Sequence, residues 1–322
     1  MSTYALVIHG GAGTIDRRSL TPDLAAAYHA TLRSALEAGA ARLAAGASAL
    51  DAVEQAVCVL EDSPLFNAGR GAVYTRSGAH EMEAAIMCGH TRRAGAAALL
   101  RQVRNPVRLA RCVMEQTEHI LLAGPGAEDL ARQQGLACVP PDWFDTSERH
   151  AQWLEARAHD LIQLDHSASR MGTVGAVALD LDGHLAAATS TGGMTNKLDG
   201  RLGDTALIGA GTYAHDDTCA ISCTGHGEYF IRGMVAYDVA CLMAYRGLSL
   251  HDAAAEVILR KQVALGGTGG LIGIDAQGHI ALPFNSEGMY RGWVRQGEAP
   301  VTAIFESETP SGRGPDGDIA DR

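Results

Sequence analysis

Met171-Gly172-Thr173-Val174-Gly175-Ala176 runs directly into the apolar stretch Val177-Ala178-Leu179. A threonine that opens a buried strand straight after a glycine stands where a chain can cut itself and expose a new N-terminal nucleophile. Cleavage of the Gly172–Thr173 bond would leave a hydroxyl and a free amine on one residue. An unperturbed α-amine has a pKa of roughly 7.7–8.0, so near neutrality a fraction is free to act as base for the adjacent hydroxyl. Such a threonine performs acyl transfer without a histidine. A Gly-Thr-Val triplet alone is an ordinary strand start, so the rest of the chain has to carry the reading.

Downstream, residues 173–180 and 184–189 read as strands joined by the turn Leu181-Asp182-Gly183. Residues 206–209 and 219–223 read as further strands, 228–245 and 249–263 as helices, and 270–275 with 279–283 as a strand pair around Gln277-Gly278. Upstream, a strand over 4–8 leads into the loop His9-Gly10-Gly11-Ala12-Gly13. Thr21-Pro22 supplies a cap and first-turn proline for a helix that runs to about residue 45 and stops at Gly46. Ser48 and Asp51 open the next, with Ala52, Val53, Ala56, Val57 and Leu60 on one face. Residues 72–76 and 82–88 read as a hairpin around Ser77-Gly78, and 94–100 and 119–123 as strands. Residues 106–115, 126–134 and 147–156 read as helices. The polar stretch 165–170 reads as a linker and residues 306–322, rich in Gly, Pro, Asp and Ser, as a disordered tail. Strands paired as hairpins and interrupted by blocks of helices predict an α+β fold, antiparallel sheets packed together with helices outside.

Composition narrows the function classes. Against 26 Lys and Arg stand 37 Asp and Glu, a formal net charge of −11, which argues against nucleic acid as a partner. No stretch reaches the length of a membrane span. The opening residues carry no basic region or signal-cleavage pattern, so the expected address is cytoplasmic. The seven cysteines are odd in number and fit reduced thiols better than a disulfide framework. The basic patch 101–111 contains Asn105-Pro106, a helix start, and reads as a solvated helix face.

Several motifs carry chemistry. Thr189-Ser190-Thr191-Gly192-Gly193 ends a strand in hydroxyls and glycines. In Gly200-Arg201-Leu202-Gly203-Asp204, opposite charges stand three apart. The bland reading is a surface ion pair of little worth; the functional one is a clamp on an amino-acid head group, guanidinium to α-carboxylate and carboxylate to α-ammonium. Ser222-Cys223-Thr224-Gly225-His226-Gly227-Glu228 joins a strand to a helix, where outward N–H groups can stabilise an oxyanion. Other readings fail. Gly225-His226-Gly227 lacks the third glycine of a dinucleotide fingerprint, Phe230 standing in its place. His9-Gly10-Gly11 lacks a matching Gly-x-Ser-x-Gly elbow, and His9 reads as a core histidine. Cys219 and Cys223 have no partner pair for zinc, and residues 266–270 lack the Gly-Lys-Ser/Thr end of a phosphate loop.

Taken in order, His9 to Gly13, Phe66-Asn67-Ala68-Gly69, Gly172 to Ala176, Thr189 to Gly193, Gly200 to Asp204, Gly209-Ala210-Gly211-Thr212-Tyr213 and Thr224 to Glu228 resemble the isoaspartyl peptidases with L-asparaginase activity, the plant-type asparaginases. The resemblance covers about residues 4–305. It implies an N-terminal nucleophile hydrolase, one structural domain folded as a four-layer αββα sandwich of two antiparallel sheets and cut into an α subunit of 1–172 and a β subunit of 173–322. It implies Thr173 as nucleophile, Thr191 hydrogen-bonded to it, and Thr224 with the Gly225 N–H as oxyanion hole. Arg201 is implied for the substrate α-carboxylate, Asp204 and the Gly227 carbonyl for its α-ammonium, and Asn67 beside the nucleophile. No cofactor is implied for catalysis. A structural sodium ion is implied on the main-chain carbonyls of Leu60, Glu61, Ser63, Phe66, Ala68 and Arg70. The implied assembly is a dimer of αβ pairs acting on β-aspartyl dipeptides and asparagine. The polar segment before Met171 is short for the family. Two rivals stand beside this reading: a glycosylasparaginase-like hydrolase, which would call for a secretory address and disulfides, and an uncut, non-catalytic small-molecule binder.

Overall fold

The computed structural model describes residues 3–13, 15, 20–159 and 172–308. The expected linker and residues 309–322 of the expected tail lie outside the described residues, and residues 306–308 form one 3-10 turn.

Strand β1 (Ala5–Gly13) comes first, followed by helices α1 (Pro22–Ala44) and α2 (Ala49–Glu61), then β2 (Met82–Cys88), β3 (Ala94–Leu100), α3 (Pro106–Gln116), β4 (Leu121–Ala123), α4 (Gly124–Gln133) and α5 (Ser147–Ala158). Beyond Thr173 come β5 (Val174–Leu179), β6 (Leu185–Thr191), β7 (Thr212–Ala214) and β8 (Cys219–Gly225). Helices α6 (Gly227–Gly233), α7 (Val235–Arg246) and α8 (Leu250–Ala255) follow, then β9 (Gly269–Asp275), β10 (Ile280–Ala281), β11 (Gly288–Arg295) and β12 (Val301–Ala303).

The helix starts follow their caps. Thr21 Oγ1 accepts from Leu24 N at 3.2 Å at the head of α1, and Ser48 and Asp51 form a reciprocal capping box at the head of α2. Strand alternation then builds the layers. Leu6 and Ile8 of β1, with Ala176 and Ala178 of β5, face Leu32, Leu36, Val53 and Val57 of α1 and α2. Ala5, Val7, Val177 and Leu179 point the other way, against Ile221, Cys223, Ile272 and Ile274 of β8 and β9. Val239, Ala253 and Val257 of the α7–α8 region close the far side. The result is helices, an eight-stranded sheet, a four-stranded sheet and helices again, the αββα sandwich expected. The large sheet runs β12-β11-β1-β5-β6-β2-β3-β4 and the small one β10-β9-β8-β7. All pairs are antiparallel except β3 with β4, which is parallel. No helix among the described residues is long and apolar enough to cross a membrane.

Several local expectations are corrected. Residues 9–13 are not a loop but the end of β1, with a bulge between His9 and Gly11. Residues 72–76 form no strand, only isolated bridges from Tyr74 to His80 and from Thr75 to Lys197. The strand read over 206–209 is a turn with one isolated bridge, from Ile208 to Thr212, and the ladder starts at Thr212 instead. The helix read over 228–245 breaks at Met234, whose φ of 44° is left-handed. The helix read over 249–263 loosens into a π-helical stretch over Glu256–Gln262. The patch 101–111 is a face of ion pairs: Arg101 reaches Glu81 at 2.6 Å, and Arg111 reaches Asp51 at 2.7 Å and Glu54 at 2.9 Å.

Candidate active site

Register places the first two threonines together. Val174 pairs with Ser190, so Thr173 stands opposite Thr191 at the end of the β5–β6 ladder. By strand parity Thr173 falls on the side of β5 that faces the small sheet, where β8 brings up Thr224 and Gly225. A cavity at this junction is lined by Gly172, Thr173, Thr191, Arg201, Asp204, Gly225 and Gly227, together with Ala12, Glu83, Gly193, Met194 and Gly203. Thr173 is buried, at 6% exposure.

The main chain fits tightly here. Thr224 Oγ1 accepts from Ala12 N at 3.1 Å and would lie 3.3 Å from a Cβ placed on Gly172. Gly11, at φ 111°, passes over Gly172 so closely that a Cβ would come within 2.7 Å of the Gly172 carbonyl oxygen. The bulge in β1 makes this crossing.

Two predicted residues sit differently from their implied roles. The Thr191 hydroxyl, instead of bonding Thr173, accepts from Gly193 N at 3.0 Å. Asn67 does not line the cavity. Its Nδ2 donates to the Gly193 carbonyl at 2.7 Å and its Oδ1 accepts from Val73 N at 3.1 Å, so it pins the glycine turn behind the cavity wall.

The charged wall is richer than the sequence reading. Arg201 forms a two-pronged ion pair with Glu228, Nε to Oε1 at 2.9 Å and Nη2 to Oε2 at 2.8 Å. Asp204 is fully buried, its Oδ2 has no hydrogen-bond partner, and burial pushes its pKa up to about 7. A Cβ on Gly227 would lie 2.9 Å from Asp204 Oδ1 and 2.8 Å from Arg201 Nη2, so the head of α6 closes over both charges. Sequence reasoning missed Glu83 and Lys197. Glu83, whose pKa burial also raises, accepts from Gly203 N at 2.9 Å and holds the loop that carries Arg201 and Asp204. Lys197, pushed down to about 8 by burial, donates to the Glu81 carbonyl at 2.6 Å, and its Nζ would lie 2.8 Å from a Cβ on Gly193. The available signal was a carboxylate inside the apolar run 82–88 and a lysine inside the hydroxyl cluster.

Behind Thr173 lies a second, neutral polar cluster. His9 Nε2 and Ser222 Oγ are 2.9 Å apart, Ser222 Oγ and Thr189 Oγ1 2.7 Å, and Thr212 Oγ1 donates to Thr189 Oγ1 at 2.7 Å. All four side chains are fully buried. Burial pushes the His9 pKa down to about 3, against a smaller opposing pull from the Thr173 backbone, so His9 is the neutral core histidine the sequence suggested. Gly175 lets these groups meet, since a Cβ there would lie 2.0 Å from Ser222 Oγ.

The segment 60–70 folds back on itself as a tight loop. The main-chain oxygens of Glu61 and Phe66 would lie 2.3 and 1.9 Å from Cβ atoms on Gly69 and Gly71, so the loop is folded tightly over its own carbonyls. The Glu61 side chain fixes it from below, its Oε1 accepting from Val107 N at 3.0 Å at the head of α3. Within it the carbonyls of Leu60, Phe66 and Ala68 each accept a backbone hydrogen bond, from Ser63, Ala68 and Gly71, and main-chain oxygen is the donor type a hard cation takes.

The family profile described as Asparaginase matches residues 2–304. The chain is 54% identical to the isoaspartyl peptidase of Salmonella typhimurium over 311 residues, covering 95% of this chain and 99% of the relative. It is 52% identical to the isoaspartyl peptidase of Escherichia coli, covering 96% and 98%. It is 42% identical to the plant-type L-asparaginase of Pyrobaculum calidifontis, covering 91% and 97%.

Proposed function

From a chain that belongs to the asparaginase family, we propose an amidohydrolase that releases L-aspartate from β-aspartyl dipeptides and from L-asparagine through a threonine acyl-enzyme. The observation that carries this reading is the cavity itself, where a hydroxyl at a Gly-Thr junction shares one wall with an arginine fork and a buried carboxylate whose Oδ2 has no partner. That carboxylate calls for a cation, and a substrate α-ammonium supplies it.

The chain is cut between Gly172 and Thr173 by its own chemistry, into an α subunit of 1–172 and a β subunit of 173–322. The freed Thr173 amine takes the proton as Thr173 Oγ1 attacks the side-chain carbonyl carbon of the substrate. The tetrahedral oxyanion is held by the Thr224 hydroxyl and the Gly225 N–H, each such donor being worth about 3 kcal/mol in comparable sites. Collapse expels the amine, which takes the proton back from the Thr173 ammonium. Water, with the same amine as base, then opens the ester, releases aspartate and restores the hydroxyl. Arg201 holds the α-carboxylate, exchanging Glu228 for the substrate, and Asp204 with the Gly227 carbonyl holds the α-ammonium. Thr191 and Asn67 keep the glycine turn in place beside the nucleophile. Blocking either α-group leaves a buried charge unpaired, so an N-acetylated β-aspartyl substrate is rejected.

The main-chain oxygens of Leu60, Glu61, Ser63, Phe66, Ala68 and Arg70 would hold a structural sodium ion, which would steady the loop behind Asn67 and supply no catalytic chemistry. The enzyme works in the cytoplasm as a dimer of αβ pairs. The experiment is intact mass and N-terminal sequencing of the purified protein beside Thr173→Ala. Two fragments, one beginning Thr-Val-Gly-Ala, with an uncut variant, are expected. A wild-type chain that stays whole after long incubation overturns the reading in favour of a non-catalytic binder.

A further inference from the structure

Three turns meet at the end of the sandwich remote from Thr173. They are the β2–β3 turn with Gly89 and His90, the β5–β6 turn with His184, and the β7–β8 turn with Asp216. The backbone ties them together. Gly89 N donates to the Leu185 carbonyl at 2.7 Å and Asp216 N to the Gly89 carbonyl at 3.3 Å. Leu185 N donates to Asp216 Oδ1 at 2.9 Å, which leaves Oδ2 as the oxygen turned to the imidazoles. His184 Nδ1 lies 2.8 Å from that oxygen and His90 Nδ1 lies 3.5 Å from it. The two rings stand side by side, with centroids 3.9 Å apart and planes inclined at 38°.

We propose that His90, His184 and Asp216 form a binding site for a divalent transition-metal cation of the zinc type, separate from the catalytic cavity. Zinc binds imidazole nitrogen and carboxylate oxygen at about 2.0–2.2 Å, which sets neighbouring ligand atoms of a tetrahedron about 3.3–3.5 Å apart. The distances from Asp216 Oδ2 to the two imidazole nitrogens, 2.8 and 3.5 Å, bracket that edge, and the ligand atoms of all three residues lie within 4.8 Å of one another. A buttress for Asp216 alone would need one imidazole. Two imidazoles converging on the same carboxylate oxygen form instead the nitrogen-rich set that zinc, nickel and copper prefer to magnesium or calcium. The carboxylate is the most buried of the three side chains, at 21% exposure, and the imidazoles are open to solvent at 60% and 38%, so water completes the coordination. Arg93, on the same turn as His90, is drawn away to the Met114 carbonyl. The site lies a strand length from the catalytic end, roughly 20 Å for the run of β6, so it acts on stability or assembly and leaves turnover alone.

The test uses the tag-free full chain, stripped with a chelator and titrated with Zn²⁺ by calorimetry, and with Co²⁺ followed by its visible absorption. Wild type is expected to bind one equivalent with a tetrahedral cobalt spectrum. His90→Ala and Asp216→Asn weaken the affinity at least tenfold, whereas His251→Ala, a solvent-exposed control, does not. Zn²⁺ raises the melting temperature of wild type and not of His90→Ala, and asparaginase activity without metal is equal in both. His90→Ala removes only a mostly exposed ring, so its folding is not at risk. An isotherm unchanged in both site variants, or no binding by wild type at millimolar metal, overturns the proposal.

Discussion

Two buried polar clusters flank Thr173, and they are built on opposite terms. Toward the cavity, Glu83, Lys197, Arg201 and Asp204 are charged groups, and Asp204 Oδ2 has no partner. Toward the core, Ser222, Thr189 and Thr212 are neutral hydroxyls bonded in sequence to His9. The bonded hydroxyls stabilise and fix the gap between the sheets, and only the uncharged His9 Nδ1 of this chain is left without a partner. An unsatisfied buried carboxylate costs stability and is retained where a ligand completes it. An unpartnered group that can carry charge near neutral pH, as Asp204 can and His9 cannot, marks the binding side more clearly than polarity does.

The largest expected effect tests that contrast directly. Asp204→Asn should lower kcat/KM for asparagine by about 10²–10³, the weight of removing one partner from a buried charge pair. It should also raise the melting temperature at pH 8. The sign follows from the raised pKa, about 7 in the folded chain against an ordinary 3.8. The folded state binds this proton more tightly, so the ionised carboxylate costs stability progressively from about pH 4 to 7 and fully above it. The gain in Asp204→Asn therefore disappears below pH 4. Variant and wild type melting together at pH 8 would show that Asp204 is satisfied after all.

Next comes Ser222→Ala, which strips a partner from His9 and from Thr189. A loss of about 1–3 kcal/mol in stability is expected, seen as an earlier denaturant midpoint, with turnover of the folded enzyme within a few-fold of wild type. A collapse of kcat in a fully folded variant would make the neutral cluster part of the chemistry.

A pH profile separates the two clusters without mutation. Asp204 must be ionised to receive an ammonium and the Thr173 amine must be free to act as base, so log kcat/KM should steepen from unit slope toward a slope of two as the pH drops below about 7. His9, pushed down to about 3, contributes no break in that range. The smallest effect is expected from Glu228→Gln. Glu228 occupies the Arg201 fork proposed for the substrate carboxylate, so KM should fall a few-fold with kcat unchanged. A rise in KM would mean that Glu228 aims the guanidinium.

The layered fold and most of the cavity were legible because their signals are local. The caps at Thr21 and Ser48, the turn at 181–183 and the alternation around Thr173 each act within a few residues. What escaped depends on remote partners. Strands β11 and β12 went unread, as Gly288 to Arg295 carries Arg291 in mid-strand. That guanidinium is 1% exposed, its charge spread over the carbonyls of Met289, Ile304 and Phe305. The break in the helix at Met234 lies in backbone conformation, which a methionine does not announce. Glu83 and Lys197 looked like strand and loop residues because only the folded chain sets them beside Arg201.

The strand order of the large sheet has a consequence for the life of the molecule after the proposed cut. Strand β1, from before Gly172, is sandwiched between β11 and β5, both from after it, and β2 is bonded to β6 across the same divide. Scission at Thr173 would therefore separate nothing: the two pieces are interleaved like the fingers of clasped hands and share one core. Once melted apart, however, they would have to find each other again. Unfolding of the mature enzyme should depend on protein concentration, and refolding of separated pieces should be second order and slow. The uncut precursor would then be the only form that assembles as a single chain, and the proposed cleavage would convert an equilibrium fold into one held by kinetics.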